Sequence, residues 1–268
     1  MKIFAIRDDN NENKDLAYLI YYETEKKFYI ELPYSVDEWE APLILSSFIK
    51  RGQYTVNSYW SGIWVRQRIV PTDRQNIAQI LKANKIREYD EYELLKLTSG
   101  RCEQDDYYLV QITSLPDEVL ERFKYRIEDV IPISDTNLIV FFSDGNVKKC
   151  NLLDIFKNNP QFDAIAQNSA YFNKVDIEPG GYGIRWDDNL RIPDKELYEC
   201  GEVIPLTADD FIAFASNRVI TAAEAATILN CSRQYINELV KSNKLHPIKV
   251  SEKTTLLLKS EVLKRNWQ

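Results

Sequence analysis

Between Ile220 and Val240 the chain reads Ile-Thr-Ala-Ala-Glu-Ala-Ala-Thr-Ile-Leu-Asn-Cys-Ser-Arg-Gln-Tyr-Ile-Asn-Glu-Leu-Val, a run with two helix starts and one sharp break. Thr221 followed three residues later by Glu224 is a reciprocal cap: side chain and backbone satisfy each other's free N–H groups at a helix start. Ala225, Ala226 and Leu229 then share a face, and the small alanines allow a second helix to approach closely. Asn230 falls where the chain must turn, a position often held by glycine, and Asn is the next most tolerant of left-handed backbone. Ser232 caps the second helix. Ile236, Leu239 and Val240 recur at a spacing that returns to the core. The run therefore predicts two short helices joined by a tight turn. With Ile236, Leu239 and Val240 facing inward, Arg233, Gln234, Asn237 and Lys241 face outward.

Residues in the first turn of such a second helix are the ones that enter a major groove. Arg can pair with guanine edges, and Gln or Asn with adenine, so Arg233, Gln234 and Asn237 are candidate base readers. Ser232 and the helix N-terminus suit a phosphate. Tyr235, at the border of the face, is placed for a phosphate or thymine contact. Beyond this pair, Lys244 to Val250 and Thr254 to Lys259 read as two strands around Ser251-Glu252-Lys253, and Ser260 can cap a last helix over Glu261 to Asn266. This order resembles the winged helix-turn-helix of the excisionase and MerR-like families, with Ser232 to Lys241 matching their recognition helix. The resemblance implies double-stranded DNA as partner, Lys249 and Lys253 near phosphates on the wing, and homodimers reading two half-sites. It departs from the common pattern at Asn230, and no long dimerising helix follows the wing.

A net charge of −7 looks wrong for a DNA binder until its distribution is considered. Residues 219–268 carry Arg233, Lys241, Lys244, Lys249, Lys253, Lys259, Lys264 and Arg265 against Glu224, Glu238, Glu252 and Glu261, a balance of +4, which leaves −11 for the remainder. A basic end on an acidic body suits a chain in which one part meets phosphate. Other chemistries are poorly provided for. His246 is the only histidine, so a triad would have to run through it. Cys102, Cys150, Cys200 and Cys231 are scattered singly, which suits reduced, partly buried thiols better than a disulfide scaffold or a zinc site. No catalytic residue, metal site or cofactor is expected. No apolar run is long enough to span a bilayer, and Met1 to Asp8 lacks the features of a signal peptide, so a cytoplasmic protein away from membranes is expected.

The middle of the chain alternates short strands with turns. Ile127 to Ile133, Leu138 to Phe142 and Asn146 to Asn151 read as strands, with Ser143-Asp144-Gly145 as a hairpin turn. Helices follow from Leu152 to Lys157 and near Phe162 to Ala166. Val175 to Ile177 and Gly183 to Trp186 pair across Glu178-Pro179-Gly180-Gly181-Tyr182, and Pro193 to Tyr198 closes as a short helix. Val130-Ile131-Pro132, Leu138 to Gly145, Asp154, Phe162, Phe172 to Val175, Gly183 to Trp186 and Leu190 to Tyr198 together resemble a small bacterial α+β family known only as a domain of unknown function. That resemblance implies a fold and no catalytic residues, and a leaning towards regulators and antitoxin-like proteins.

The first segment begins with a hairpin, Ala17 to Glu23 and Lys27 to Leu32, around Thr24-Glu25-Lys26. Helices are predicted around Trp39 to Lys50, after a Thr72 cap with Ile77, Ile80 and Leu81 on one face, and from Tyr89 to Thr98. Tyr59 to Arg74 interleaves aromatics with arginines. That stretch could stack and clamp a nucleic acid, but Trp60 and Trp64 as core with salt-bridged arginines is favoured. Asp105-Asp106 and Asp187-Asp188 read as solvated turns, since neighbouring strand residues point to opposite faces. The expected fold class is α+β: two small α+β domains, 1–115 and 124–202, followed by a C-terminal winged helix-turn-helix, 203–268. Three functional readings stand side by side. The first is a DNA-binding transcriptional regulator, and the second a protein-interaction adaptor or antitoxin gripping a partner through the N-terminal domains. The third, an enzyme acting on nucleic acid, rests on Trp64 to Arg74 alone.

Overall fold

Continuous apolar runs, buried at successive positions, build an antiparallel sheet at the start of the chain, and helices cover one of its faces. In chain order the elements are β1 (Lys2–Asp8), β2 (Ala17–Tyr22), β3 (Lys27–Glu31), α1 (Leu43–Lys50), β4 (Thr55–Val56), α2 (Ser58–Arg66), α3 (Ile77–Ala83), α4 (Glu91–Leu97), β5 (Tyr107–Ile112) and α5 (Asp117–Leu120). The sheet order is β4-β3-β2-β1-β5. Its register places Phe4 opposite Leu19, Leu19 opposite Ile30 and Tyr21 opposite Phe28. These residues line one face and pack with Leu45, Phe48, Trp64, Val65, Leu94 and Leu95 from the helices. The computed structural model describes every residue except 12–13, 135, 204–207, 252–253 and 268.

Two helix starts in this part differ from the sequence expectation. α1 begins at Leu43, behind Pro42, because the residue before a proline is driven away from helical backbone. Trp39 is left in the preceding turn, where Asp37 accepts the backbone N–H groups of Trp39 and Glu40 at 2.8 and 3.0 Å. Thr72 caps nothing: successive turns run through Arg74 N–H to Pro71 O and Ile77 N–H to Arg74 O, and α3 starts only after Asn76. The helical stretch expected from Tyr89 is α4, capped by Asp90, and Leu94 and Leu95 are its buried residues.

The chain divides into two compact units, Met1–Glu121 and Arg122–Gln268. The second continues with β6 (Ile127–Ser134), β7 (Asn137–Phe142), β8 (Val147–Asn151), α6 (Leu153–Asn158), α7 (Asp163–Ala166), α8 (Ser169–Phe172), β9 (Asp176–Ile177), β10 (Gly183–Arg185), β11 (Arg191–Pro193), α9 (Asp194–Cys200) and β12 (Glu202–Val203). Two sheets form, with orders β12-β8-β7-β6 and β11-β10-β9. The turn between β7 and β8 is the one expected, with Gly145 at φ +86 and its N–H on Phe142 O. Trp186 centres the core: its ring lies 6.0 to 6.1 Å from those of Phe156, Phe162 and Phe172, and its indole N–H donates to Phe172 O at 2.9 Å. Gly181, at φ +75, allows the β9–β10 connection to lie on β6, since a Cβ there would stand 2.5 Å from Ile127 O.

The same unit ends with α10 (Ala208–Arg218), β13 (Val219–Thr221), α11 (Ala222–Ile228), α12 (Arg233–Lys241), β14 (Lys249–Val250), β15 (Thr255–Leu258) and α13 (Lys259–Lys264). Its strands form a third sheet, β13-β15-β14. Ile220, Ala222, Ala225, Ala226, Ile236, Leu239, Leu245, Leu257 and Val262 make a separate small core. This part is fastened to β6, an edge strand. Arg218 Nε lies 2.7 Å from Asp129 Oδ1, and the Arg218 guanidinium also donates to Val130 O. Lys264 pairs with Glu128 at 2.7 Å, and Phe214 packs on Phe141 with ring centroids 5.2 Å apart. The whole is an α+β protein with several small sheets.

Candidate nucleic-acid interface

Each hydrogen bond expected at the α11–α12 junction is present. Thr221 N–H donates to Glu224 Oε2 at 2.7 Å, and Glu224 N–H donates to Thr221 Oγ1 at 3.3 Å. The Thr221 backbone N–H holds the Glu224 carboxyl below the ordinary carboxylate range. Asn230 adopts φ +49, and the next N–H, of Cys231, closes on Ala226 O at 2.9 Å, satisfying a carbonyl at the end of α11. Ser232 Oγ then accepts Tyr235 N–H at 3.2 Å and starts α12. Ala225 at 0 % exposure and Ala226 at 8 % form the close-approach face.

α12 presents two opposite faces. Ile236 and Leu239 are buried, whereas Ser232, Arg233, Gln234, Tyr235, Asn237 and Lys241 are exposed. Arg233, Asn237 and Lys241 follow each other at i, i+4 spacing and so lie along one stripe. Gln234 and Tyr235 flank its N-terminal end. Among the described residues, the side chains of Arg233, Gln234, Asn237 and Lys241 make no intramolecular hydrogen bond or ion pair. The geometry is that of an amphipathic helix holding a polar face open in its first two turns.

Downstream, the outline differs from expectation. The stretch from Lys244 is strand only at Lys249–Val250. Leu245 is drawn into the small core at 0 % exposure, and Pro247 has no N–H to give a ladder. Ser260 is not a cap: β15 runs straight into α13, which starts at Lys259 behind Leu258. Lys249 is exposed on β14, paired to β15 through Lys249 and Leu256. Lys253 lies outside the described residues, as does Glu252. Two of the eight basic residues are engaged elsewhere, Lys264 on Glu128 and Arg265 on Lys244 O at 2.7 Å. His246 Nδ1 and backbone N–H both meet Glu261 Oε1, at 2.7 and 2.9 Å, which ties the connection before β14 to α13.

One helper escaped the sequence reading. Asn243, at φ +53, ends α12 as Asn230 ends α11, and the following N–H, of Lys244, donates to Leu239 O at 2.8 Å. The signal was available: a second Asn just past the last apolar position of a helix.

Part of the aromatic and arginine stretch of the first unit is built into its core, while Tyr59, Arg66 and Arg74 stay exposed. Trp64 is buried at 1 % exposure, the Arg68 guanidinium stacks 3.8 Å over its ring, and Arg68 pairs with Asp105. Trp60 is the exception to the core expectation, at 40 % exposure. Arg68, Arg74 and Cys102 border a cleft of about 560 Å³. Asp105 and Asp106 serve different partners, Arg68 and Asn10. Asp187 accepts the N–H groups of Asn189 and Leu190, both at 2.8 Å, as a turn residue does.

Within the second unit, residues 122–203 build two small sheets on an aromatic core, and the β13-to-α13 part is a helix pair on a three-stranded sheet. Residues 127–201 match a family described as a protein of unknown function (DUF2442). No curated protein and no solved structure matches the chain. The family match ends before α11, so the open face of α12 lies outside it. No helix of the described residues is long and apolar enough to cross a membrane.

Proposed function

We propose that this chain is a sequence-specific DNA-binding protein, a transcriptional regulator, whose residues 203–268 form a winged helix-turn-helix. The observation that carries the reading is the exposed stripe of α12, held open by a helix whose other face is fixed in a core. In this reading Arg233 pairs with a guanine edge, Gln234 and Asn237 with adenines, and Tyr235 with a phosphate or thymine methyl. Ser232 and the α12 N-terminus meet a phosphate, as do Lys241 and, from the β14–β15 hairpin, Lys249 and Lys253. Two copies would read two half-sites. The reading assigns no catalytic residue, cofactor or metal.

Selection of duplexes from a random pool by the full-length protein tests it. A consensus is expected, with Arg233→Ala or Gln234→Ala relaxing preference at one position at a cost of about 1–3 kcal/mol. Enrichment of no sequence over random duplex at low salt would overturn the assignment.

A second reading, a protein-interaction adaptor or antitoxin, draws on the first unit. Trp39, Leu43 and Tyr34 are 87 %, 90 % and 54 % exposed there, which is unusual for large apolar side chains. It predicts a stoichiometric heterocomplex from the native host that survives substitution of Arg233 and Gln234. Both readings hold together if the partner acts on a DNA-bound regulator.

A further inference from the structure

Cys150 and Cys200 are far apart in sequence and meet in the fold. Cys150 is the buried penultimate residue of β8, and Cys200 is the exposed last residue of α9. Both sulfurs approach one atom: Leu197 O lies 3.3 Å from Cys150 Sγ and 3.6 Å from Cys200 Sγ. After Cys200 the chain turns back as β12, pairing Glu202 with Lys149 and Val203 with Lys148, so the thiols occupy the mouth of a strand pair. Gly201 permits the approach, since a Cβ there would stand 2.7 Å from Cys150 Sγ. The Lys148 ammonium lies beside the same corner, donating to Tyr198 O at 2.5 Å.

From this juxtaposition we infer that Cys150 and Cys200 are a reversible dithiol–disulfide site, with Cys200 the attacking and Cys150 the resolving thiol, that takes small-molecule disulfides of the glutathione class as oxidant. The division of labour follows from position. Cys200 is reachable from solvent, and Cys150 is not. When Cys200 ionises, the Cys150 S–H held against it stabilises the thiolate, so Cys200 loses its proton more readily than an ordinary thiol and Cys150 less readily. Lys148 favours the same charge. A low-pKa exposed thiol beside a resolving thiol is the arrangement that exchange chemistry needs.

The steps balance. The Cys200 thiolate attacks one sulfur of the external disulfide, forming a mixed disulfide and releasing one small thiolate. That thiolate takes the Cys150 proton as the Cys150 sulfur attacks Cys200 Sγ, and a second small thiolate leaves and is protonated by the solvent proton that Cys200 released. Two protein thiols are oxidised by two electrons, and one small disulfide is reduced to two thiols. The bond formed would staple the end of α9, and with it β12, onto β8.

The test equilibrates the full-length protein in glutathione buffers of graded potential, quenches in acid, alkylates the remaining thiols and maps the peptides. The expected product is an intramolecular Cys150–Cys200 link, formed while the far-ultraviolet dichroism keeps its native form. In the reduced protein Cys200 should be alkylated about tenfold faster than Cys102 or Cys231 near neutral pH. In Cys150→Ala the reaction should stop at glutathione on Cys200. Should that variant not fold, Cys200→Ser serves, and it should leave Cys150 unmodified in folded protein. The inference is overturned if wild-type Cys200 accumulates as the mixed disulfide, if the link appears only once the chain is unfolded, or if Cys200 reacts no faster than the other two thiols.

Discussion

Asp129 is a buried carboxylate of the second unit, paired with the half-buried Arg218. Burial pushes the Asp129 carboxyl up from its ordinary 3.8 to about 6, the nearby Arg218 guanidinium offsetting part of that. The folded state therefore keeps a proton that the unfolded chain has released, and Asp129's contribution to stability is complete below about pH 4 and lost as pH rises through about 6. Denaturant titrations over that window should show wild type losing stability relative to Asp129→Asn, with the difference level above it. Arg218→Met removes the cation that the ionised carboxylate needs. It should drive the carboxyl's pKa higher still and cost up to about 3 kcal/mol at neutral pH, and distinctly less near pH 4, where the carboxyl is protonated with or without the guanidinium. At the α11–α12 turn the constraint is conformational. Asn230→Ala should cost about 1–2 kcal/mol for placing an ordinary Cβ residue in left-handed backbone, whereas Asn230→Gly should cost nothing measurable in thermal unfolding.

Among the elements, those with local causes were legible in advance. Thr221 with Glu224, Ser232, Asn230 and Asp144-Gly145 each act within five residues of themselves, and each is found where its chemistry placed it. Thr221→Ala should accordingly cost about 1 kcal/mol, read as a lowered unfolding midpoint. Elements decided by distant partners were not legible. β1 is strand because Phe4 and Ile6 meet Leu19 and Ala17 across the sheet, and α2 is helix with Trp64 anchored in that core. Leu245 leaves the strand expected for it because the small core takes its side chain. The open face of α12 was readable because helical periodicity alone separates Ile236 and Leu239 from Arg233 and Asn237. The meeting of Cys150 with Cys200 was not, since it depends on β12 pairing with β8. In the middle segment, strand, turn and tryptophan in order pointed to the family matched by residues 127–201. Trp186→Ala, which empties the centre of that core, should cost about 3–5 kcal/mol.

At the scale of the molecule, a chain of net charge −7 must bind DNA, on the proposed reading, through a minority of its surface. Affinity should then fall steeply with salt, with a log–log slope of about −0.9 for each phosphate met, and Lys241→Ala should make that slope shallower by about one. Lys264→Ala should leave the slope unchanged, because its ammonium is already held by Glu128. The attachment of the last helices to β6 has a further consequence. β6 is the outermost strand of its sheet, and an outermost strand offers its free backbone groups to any other chain that can hydrogen-bond to them. Arg218 occupies one of those groups, Val130 O, with a bulky cation. The expected outcome is that protein carrying Arg218→Ala together with Lys264→Ala, with that edge less covered, sediments as larger species as its concentration is raised.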